Sequence, residues 1–189
     1  MELFWYDIRT MDEDAYAAAL ALLSPQRQER VAGIALPDDR KRTVAAEWLL
    51  RTEAGKRLGV APKDVPLVTD EESRPVLEGA DLYCSVSHSG AWAVCALSDK
   101  PIGVDVEVIR AADEKFMRRI CSEDELRYVR YGDEGCFARF WECWTAKEAL
   151  FKLTQQGPLL SLSRFALPQN AVLEHVTANG CSVTAACAL

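Results

Sequence analysis

The stretch that most constrains this chain is Pro101–Ile109, Pro-Ile-Gly-Val-Asp-Val-Glu-Val-Ile. Ile102, Val104, Val106 and Val108 alternate with Gly103, Asp105, Glu107 and Ile109, the period of two that marks a strand with one face in a core. Asp105 and Glu107 then project from the same face, roughly 7 Å apart by strand geometry. Carboxylates that close repel each other unless something positive sits between them. An isolated pair of this kind is ordinarily a solvated strand face, so the reading turns on whether a third acidic group joins it.

Glu148 is the candidate, in Trp144-Thr145-Ala146-Lys147-Glu148-Ala149. The pattern predicts a long helix from about Glu134 to Gln156, stopped by Gly157-Pro158. At about 100° per residue, Phe137, Trp141, Trp144 and Phe151 form one stripe with Glu148 in its middle. An unpaired charge buried in such a stripe costs several kcal/mol. A salt bridge to Lys152, one turn on, is worth only ~0.3–0.5 kcal/mol when exposed, too little to explain a carboxylate facing a core. A metal ion shared by Asp105, Glu107 and Glu148 explains it better. Three carboxylates without histidine or cysteine select a hard cation, with Mg²⁺ the leading candidate, completed by substrate phosphates and water.

Bulk properties narrow the partner. With 189 residues, 49% apolar and 27% charged, the chain suits one large domain or two packed halves. A net charge of −7 argues against a nucleic-acid binder. Arg27, Arg30 and Arg40-Lys41-Arg42 nonetheless cluster, which suits a phosphate-bearing small molecule. No apolar run reaches membrane-spanning length and Met1–Trp5 lacks the character of a signal peptide, so the expected setting is the cytoplasm, without a membrane partner. Seven cysteines without a C-x-x-C pair argue against a disulfide framework or structural zinc. Cys84, Cys95, Cys143 and Cys187 are expected as small core residues.

In chain order, Leu3–Ile8 reads as a strand, and Thr10-Met11-Asp12-Glu13 as a capping box ahead of a helix to about Leu23. Ser24-Pro25 starts a second helix, with Arg27 and Arg30 on one face. Pro37-Asp38-Asp39 opens a longer helix through Leu58, closed by Gly59, with Val44, Trp48 and Thr52 as its inner stripe. Leu82–Val86 and Trp92–Leu97 are strands joined by a turn at Ser87-His88-Ser89-Gly90. Ser122–Glu125 is a capping box that begins a short helix to about Tyr131, and Asn179-Gly180 is a type I′ hairpin turn. Each half thus has a long helix and a small antiparallel meander, with the seam near Asp99–Pro101. Ser87-His88-Ser89 lacks a G-x-S-x-G elbow and an acid partner, so a phosphate contact fits it better than a hydrolase triad.

Together these residues resemble the 4′-phosphopantetheinyl transferases of the surfactin-synthetase-activating (Sfp) type. The resemblance rests on Ser85-Val-Ser-His-Ser-Gly90, Ile102-Gly-Val-Asp-Val-Glu107, and Trp144-x-x-Lys-Glu-Ala149 with Lys152 behind, and extends through Arg74-Pro75 and Arg40–Arg51. It implies an α+β fold of two pseudo-symmetric halves, residues 1–100 and 101–189, each a small antiparallel sheet with a long helix, with coenzyme A in the cleft between them. It implies Mg²⁺-dependent transfer of 4′-phosphopantetheine from coenzyme A to a serine of an apo acyl or peptidyl carrier protein, releasing adenosine 3′,5′-bisphosphate, by a monomer. Asp105, Glu107 and Glu148 would then hold Mg²⁺ on the pyrophosphate. Arg42, Arg74, Ser87, His88, Lys147 and Lys152 would line coenzyme A, and Arg27 and Arg30 would approach its 3′-phosphate. Glu148 is the expected proton acceptor, and Lys152 would neutralise charge developing on the pyrophosphate. The alternatives are a coenzyme A-binding homologue that does not transfer, against which the three carboxylates and both lysines speak, and another Mg²⁺-dependent phosphotransferase, weakened by the lack of a G-x-x-x-x-G-K-[ST] loop.

Overall fold

The computed structural model describes residues 1–70, 74–132, 135–154 and 171–189. The described residues form an α+β protein of small antiparallel sheets and helices. The chain divides into two compact units, Met1–Asp99 and Lys100–Leu189.

The first unit starts with β1 (Glu2–Asp7) and a tight turn of 3₁₀ helix at Ile8–Thr10. The expected capping box at Thr10 does not form. Thr10 Oγ1 instead donates to Asp7 O at 2.7 Å, and Asp12 caps α1 (Glu13–Ala21) by accepting from Ala15 N at 2.8 Å. The Asp12 carboxylate reaches the third amide as a threonine hydroxyl would, with Met11 just before it buried in the core. Then come α2 (Pro25–Ala32), capped by Ser24, and α3 (Pro37–Leu58), closed by Gly59 at φ 71°. That left-handed angle is why a glycine ends the helix there.

The inner face of α3 is broader than the expected stripe of Val44, Trp48 and Thr52. Val44, Ala45, Ala46, Leu49, Leu50 and Ala54 are buried, while Trp48 is half-buried with its ring 4.8 Å from that of Tyr6. The helix is covered on more than one side, packing on the strands and also on α1 and α2. Two short strands, β2 (Leu67–Thr69) and β3 (Pro75–Leu77), pair with each other. β4 (Tyr83–Ser89) and β5 (Trp92–Ser98) complete an antiparallel sheet in the order β1-β5-β4. β5 lies in the middle and its Ala93–Leu97 run is wholly buried. The turn before it is shorter than expected. Ser89 pairs with Trp92, so Ser87 and His88 belong to β4 and only Gly90-Ala91 turn the chain, with Gly90 at φ 56°. A two-residue turn with glycine first matches the twist of the strands, which a four-residue turn would not.

The second unit begins with β6 (Ile102–Val108), followed by α4 (Glu114–Ile120), α5 (Glu123–Val129) and α6 (Cys136–Thr154), then β7 (Ala171–Ala178) and β8 (Cys181–Ala188). The sheet order is β6-β8-β7, all antiparallel. The Ser122 capping box forms as expected, and Asn179 and Gly180, at φ 55° and 72°, make the type I′ turn. The expected helix limits at Glu134 and Gln156 and the stop at Gly157-Pro158 lie outside the described residues. Within α6 the aromatic stripe is displaced. Phe140 and Trp141 are buried with Phe116 from α4 against them, whereas Phe137 is 40% exposed. Phe140 alone contributes about 1.5–3 kcal/mol by leaving water.

Both faces of β6 are covered, which period-two alternation alone does not reveal. The face of Gly103, Asp105 and Glu107 lies under α6. A Cβ placed on Gly103 would stand 2.1 Å from Ala149 O and 2.7 Å from Leu153 N. The missing side chain is what lets the helix backbone cross the strand so closely.

Candidate active site

Helix α6 brings its acidic residue over the acidic strand. Asp105 is buried, and Glu107, nearer the strand end, is half-buried. Register sets Thr184 beside Asp105 and Ser182 beside Glu107. Thr145 of α6 links these two hydroxyls, with Oγ1 lying 2.9 Å from Thr184 Oγ1 and 3.1 Å from Ser182 Oγ. The carboxylate row therefore lies along a polar seam within an otherwise apolar sheet-helix interface.

Glu148 is 9% exposed, and its Oε1 is buried with no hydrogen-bond partner among the described residues. Burial first, and then the Asp105 charge, push its carboxyl up to about 7, with Glu107 adding to the rise and Lys152 opposing it. A carboxyl orphaned in this way is poised to take either a proton or a cation. Lys152, one turn beyond Glu148, donates from Nζ to Asp105 Oδ1 at 2.8 Å and to Val104 O at 2.9 Å. Arg110 Nη1 approaches Glu107 Oε2 at 3.4 Å while its guanidinium lies over the Trp141 ring, 4.5 Å from the centroid. Among the described residues, no group of three His, Cys, Asp or Glu side chains is arranged to hold a metal ion as it stands. The donor chemistry nevertheless fits a hard divalent cation: the three carboxylates are oxygen donors, Lys152 and the exposed Arg110 meet Asp105 and Glu107, and a buried oxygen of Glu148 lacks a donor among the described residues.

Lys147 occupies a different environment from Lys152. The residue is 3% exposed, and its ammonium donates to Glu125 Oε2 at 2.7 Å and Ile120 O at 2.9 Å. Glu125 Oε2 also accepts from Ser122 N at 2.6 Å, so one carboxylate both caps α5 and receives the lysine. This joins α6 to the α4–α5 corner.

The remaining expected residues belong to the first unit. Arg27 Nε donates to Glu47 Oε2 at 3.0 Å, while Arg30, one turn on in α2, is exposed. Arg42 donates to Gly90 O at 2.7 Å and pairs with Asp39. Arg74 is clamped on Asp70, with Nε 2.9 Å and Nη2 2.7 Å from Oδ2. Ser87 is half-buried and His88 exposed on β4. A cavity of about 370 Å³ in this unit is lined by Arg27, Thr43, Glu47, Pro75 and His88, among others. It unites Arg27 and His88, with Pro75, the neighbour of Arg74, in the wall. Arg30 and Arg42 do not line it.

Sequence reading places Arg51 on α3 without a role and gives Glu47 none. They are a buried i,i+4 ion pair in α3, Arg51 Nη2 lying 3.1 Å from Glu47 Oε1. The signal was available: Glu47 stands three residues before Leu50 and four after Thr43, so it falls on an inward face, as Glu148 does in α6.

Two family models match adjacent parts of the chain. A model of the 4′-phosphopantetheinyl transferase N-terminal region covers residues 10–100, and one of the 4′-phosphopantetheinyl transferase superfamily covers 101–180. A 4′-phosphopantetheinyl transferase of Bacillus subtilis is 28% identical over 78% of this chain and 67% of its own length. The 4′-phosphopantetheinyl transferase Sfp of Bacillus subtilis strain 168 is 24% identical over 86% and 73%. The 4′-phosphopantetheinyl transferase gsp of Aneurinibacillus migulanus is 26% identical over 78% and 62%. The matches thus span between 62% and 73% of these relatives. With two models of one family meeting end to end across residues 10–180, and with Asp105, Glu107 and Glu148 on one strand-helix crossing, the chain belongs to the 4′-phosphopantetheinyl transferase superfamily.

Proposed function

We propose that this transferase moves the 4′-phosphopantetheine arm of coenzyme A onto a serine of an apo acyl or peptidyl carrier protein, releasing adenosine 3′,5′-bisphosphate. It acts as a cytoplasmic monomer built of two pseudo-symmetric halves. In support of that symmetry, the described residues of each unit include a three-stranded antiparallel sheet and a long helix. No helix among the described residues is long and apolar enough to cross a membrane. The observation that carries the reading is Glu148: a buried carboxyl, held up to about 7, with one oxygen unserved beside Asp105.

A serine hydroxyl needs a base to attack at neutral pH, and a carboxyl raised to about 7 is a better base than an exposed one while still ionising near neutrality. Glu148 accepts the serine proton as Oγ bonds to the phosphorus on the pantetheine side. The bridging phosphorus–oxygen bond breaks, and its electron pair leaves with the adenosine bisphosphate. Lys152, already 2.8 Å from Asp105 Oδ1, provides positive charge where the leaving oxygen develops negative charge. Asp105, Glu107 and Glu148 would hold Mg²⁺, which when bound neutralises the pyrophosphate and polarises its oxygens.

Arg27 and Arg30 take the 3′-phosphate, and Arg42, Arg74, Ser87 and His88 line coenzyme A. Lys147 joins them only by exchanging its Glu125 and Ile120 partners. Incubation with apo carrier, coenzyme A and Mg²⁺ should add one phosphopantetheine mass to the carrier. Binding of coenzyme A without that gain, across carriers of fatty-acid, polyketide and peptide synthesis, would instead indicate a non-transferring homologue.

A further inference from the structure

Glu47 is a buried acid to which the proposed reaction gives no task. It stands at the wall of the cavity of about 370 Å³ that Arg27, Thr43 and His88 also line. Its two oxygens serve two guanidinium groups, Oε1 accepting from Arg51 Nε at 3.1 Å and Oε2 from Arg27 Nε at 3.0 Å. Arg51 is itself buried and donates to Val65 O at 3.4 Å, so the carboxylate is anchored from behind.

Arg27 differs from Arg51. It is half-buried and held through Nε, and among the described residues its Nη1 and Nη2 donate to nothing. A guanidinium fixed at Nε keeps its end-on edge open, with two parallel N–H groups spaced to meet two oxygens of a phosphate. One carboxylate against two guanidiniums also leaves a net positive charge at the cavity wall. Arginine loses much rotamer freedom when it is ordered, and here Glu47 has ordered it before any ligand arrives.

We propose that Glu47 is a positioning residue: by holding Arg27 at Nε it aims the open edge at the 3′-phosphate and sets the preference for coenzyme A over 3′-dephospho-coenzyme A. This rests on the reading of Arg27 as a 3′-phosphate contact. A carboxylate that served only to knit α2 to α3 would affect both substrates alike.

The test compares coenzyme A with 3′-dephospho-coenzyme A in transfer to an apo carrier, and adenosine 3′,5′-bisphosphate with adenosine 5′-monophosphate in calorimetric binding. Glu47→Gln should lower kcat/KM for coenzyme A about tenfold, through KM, as expected for a misdirected charge-assisted pair. It should leave the dephospho substrate within about twofold, and weaken the 3′,5′-bisphosphate but not the 5′-monophosphate. Arg27→Ala should give the same pattern, and the double variant no further loss, because both act through one contact. Equal losses on both substrates, retained selectivity in Glu47→Gln, or additive losses would each overturn the proposal. Should Glu47→Gln fail to fold, Glu47→Asp keeps the charge, withdraws the carboxylate by one methylene, and must show the same selective loss. Wild-type enzyme that does not distinguish the two substrates would overturn the 3′-phosphate reading itself, and absence of any transfer would overturn the proposed function. Both of those outcomes appear before a variant is compared.

Discussion

Gly103 of β6 and Ala149 of α6 approach so closely that a Cβ on the glycine would stand 2.1 Å from the alanine carbonyl oxygen. The clash is with backbone, and no rotamer can relieve it. Gly103→Ala should therefore push α6 off the strand and cost at least about 2 kcal/mol, read from the urea midpoint. Because Asp105 is two residues along the same face, transfer should fall as well. Unchanged stability would mean that the helix slides without cost and that the close crossing is incidental.

Glu148→Gln keeps the shape of the side chain and removes both its basicity and its charge. We expect kcat for transfer to a carrier serine to drop at least about 100-fold, the low end of what a positioned base contributes. Coenzyme A affinity by calorimetry without Mg²⁺ should stay within about threefold, since the side chains assigned to contact its phosphates directly lie elsewhere. Turnover like that of the wild type would remove Glu148 from the mechanism.

The raised Glu148 carboxyl makes stability depend on pH. Unfolded, the group ionises near 4.5, whereas folded it holds its proton to about 7. Below both values it is neutral in either state and costs nothing. As pH rises from about 4.5 to 7 the unfolded chain sheds its proton first, so this contribution to stability falls, and above 7 the loss is complete. In chelator-containing buffer, Glu148→Gln should match the wild type near pH 4.5 and exceed it at pH 8 in urea unfolding. A variant less stable than wild type at pH 8 would show that the charged carboxylate has a partner.

The same imbalance predicts a response to divalent ions. Mg²⁺ at about 100 times its dissociation constant should add about 2.7 kcal/mol to wild-type stability at pH 8, and chelation should reverse it. Glu107→Gln and Glu148→Gln should each lose most of that increment. Equal stabilisation of wild type and both variants would place the ion elsewhere.

Local signals carried the element boundaries well where a backbone device was involved. Pro37 and Gly59 frame α3, Ser122 with Glu125 starts α5, and Asn179-Gly180 turns β7 into β8, each because a side chain or a positive φ acts within a few residues. Helix α4 has no periodic signal: its seven residues bury Met117 and Ile120 with Phe116 half-buried beside them, too short a run for periodicity, although Asp113 caps it. Polar Ser87 and His88 resemble turn residues by composition, which widens the expected turn, while cross-strand pairing holds them in β4 and leaves only Gly90-Ala91 to turn.

Residue order alone dictated an acidic strand and a helix with a carboxylate on its inward side, because both are periodic properties and period is written in the order of residues. The motifs those two elements carry are what resemble the transferase family. Which cation answers which carboxylate was settled only by packing. Lys152 lies on Asp105, Lys147 turns away to Glu125, and Glu47 holds Arg27. Each of those pairs joins residues about 20 to 50 positions apart, and a charge finds its partner through the distances that a closed core enforces, which no local pattern encodes.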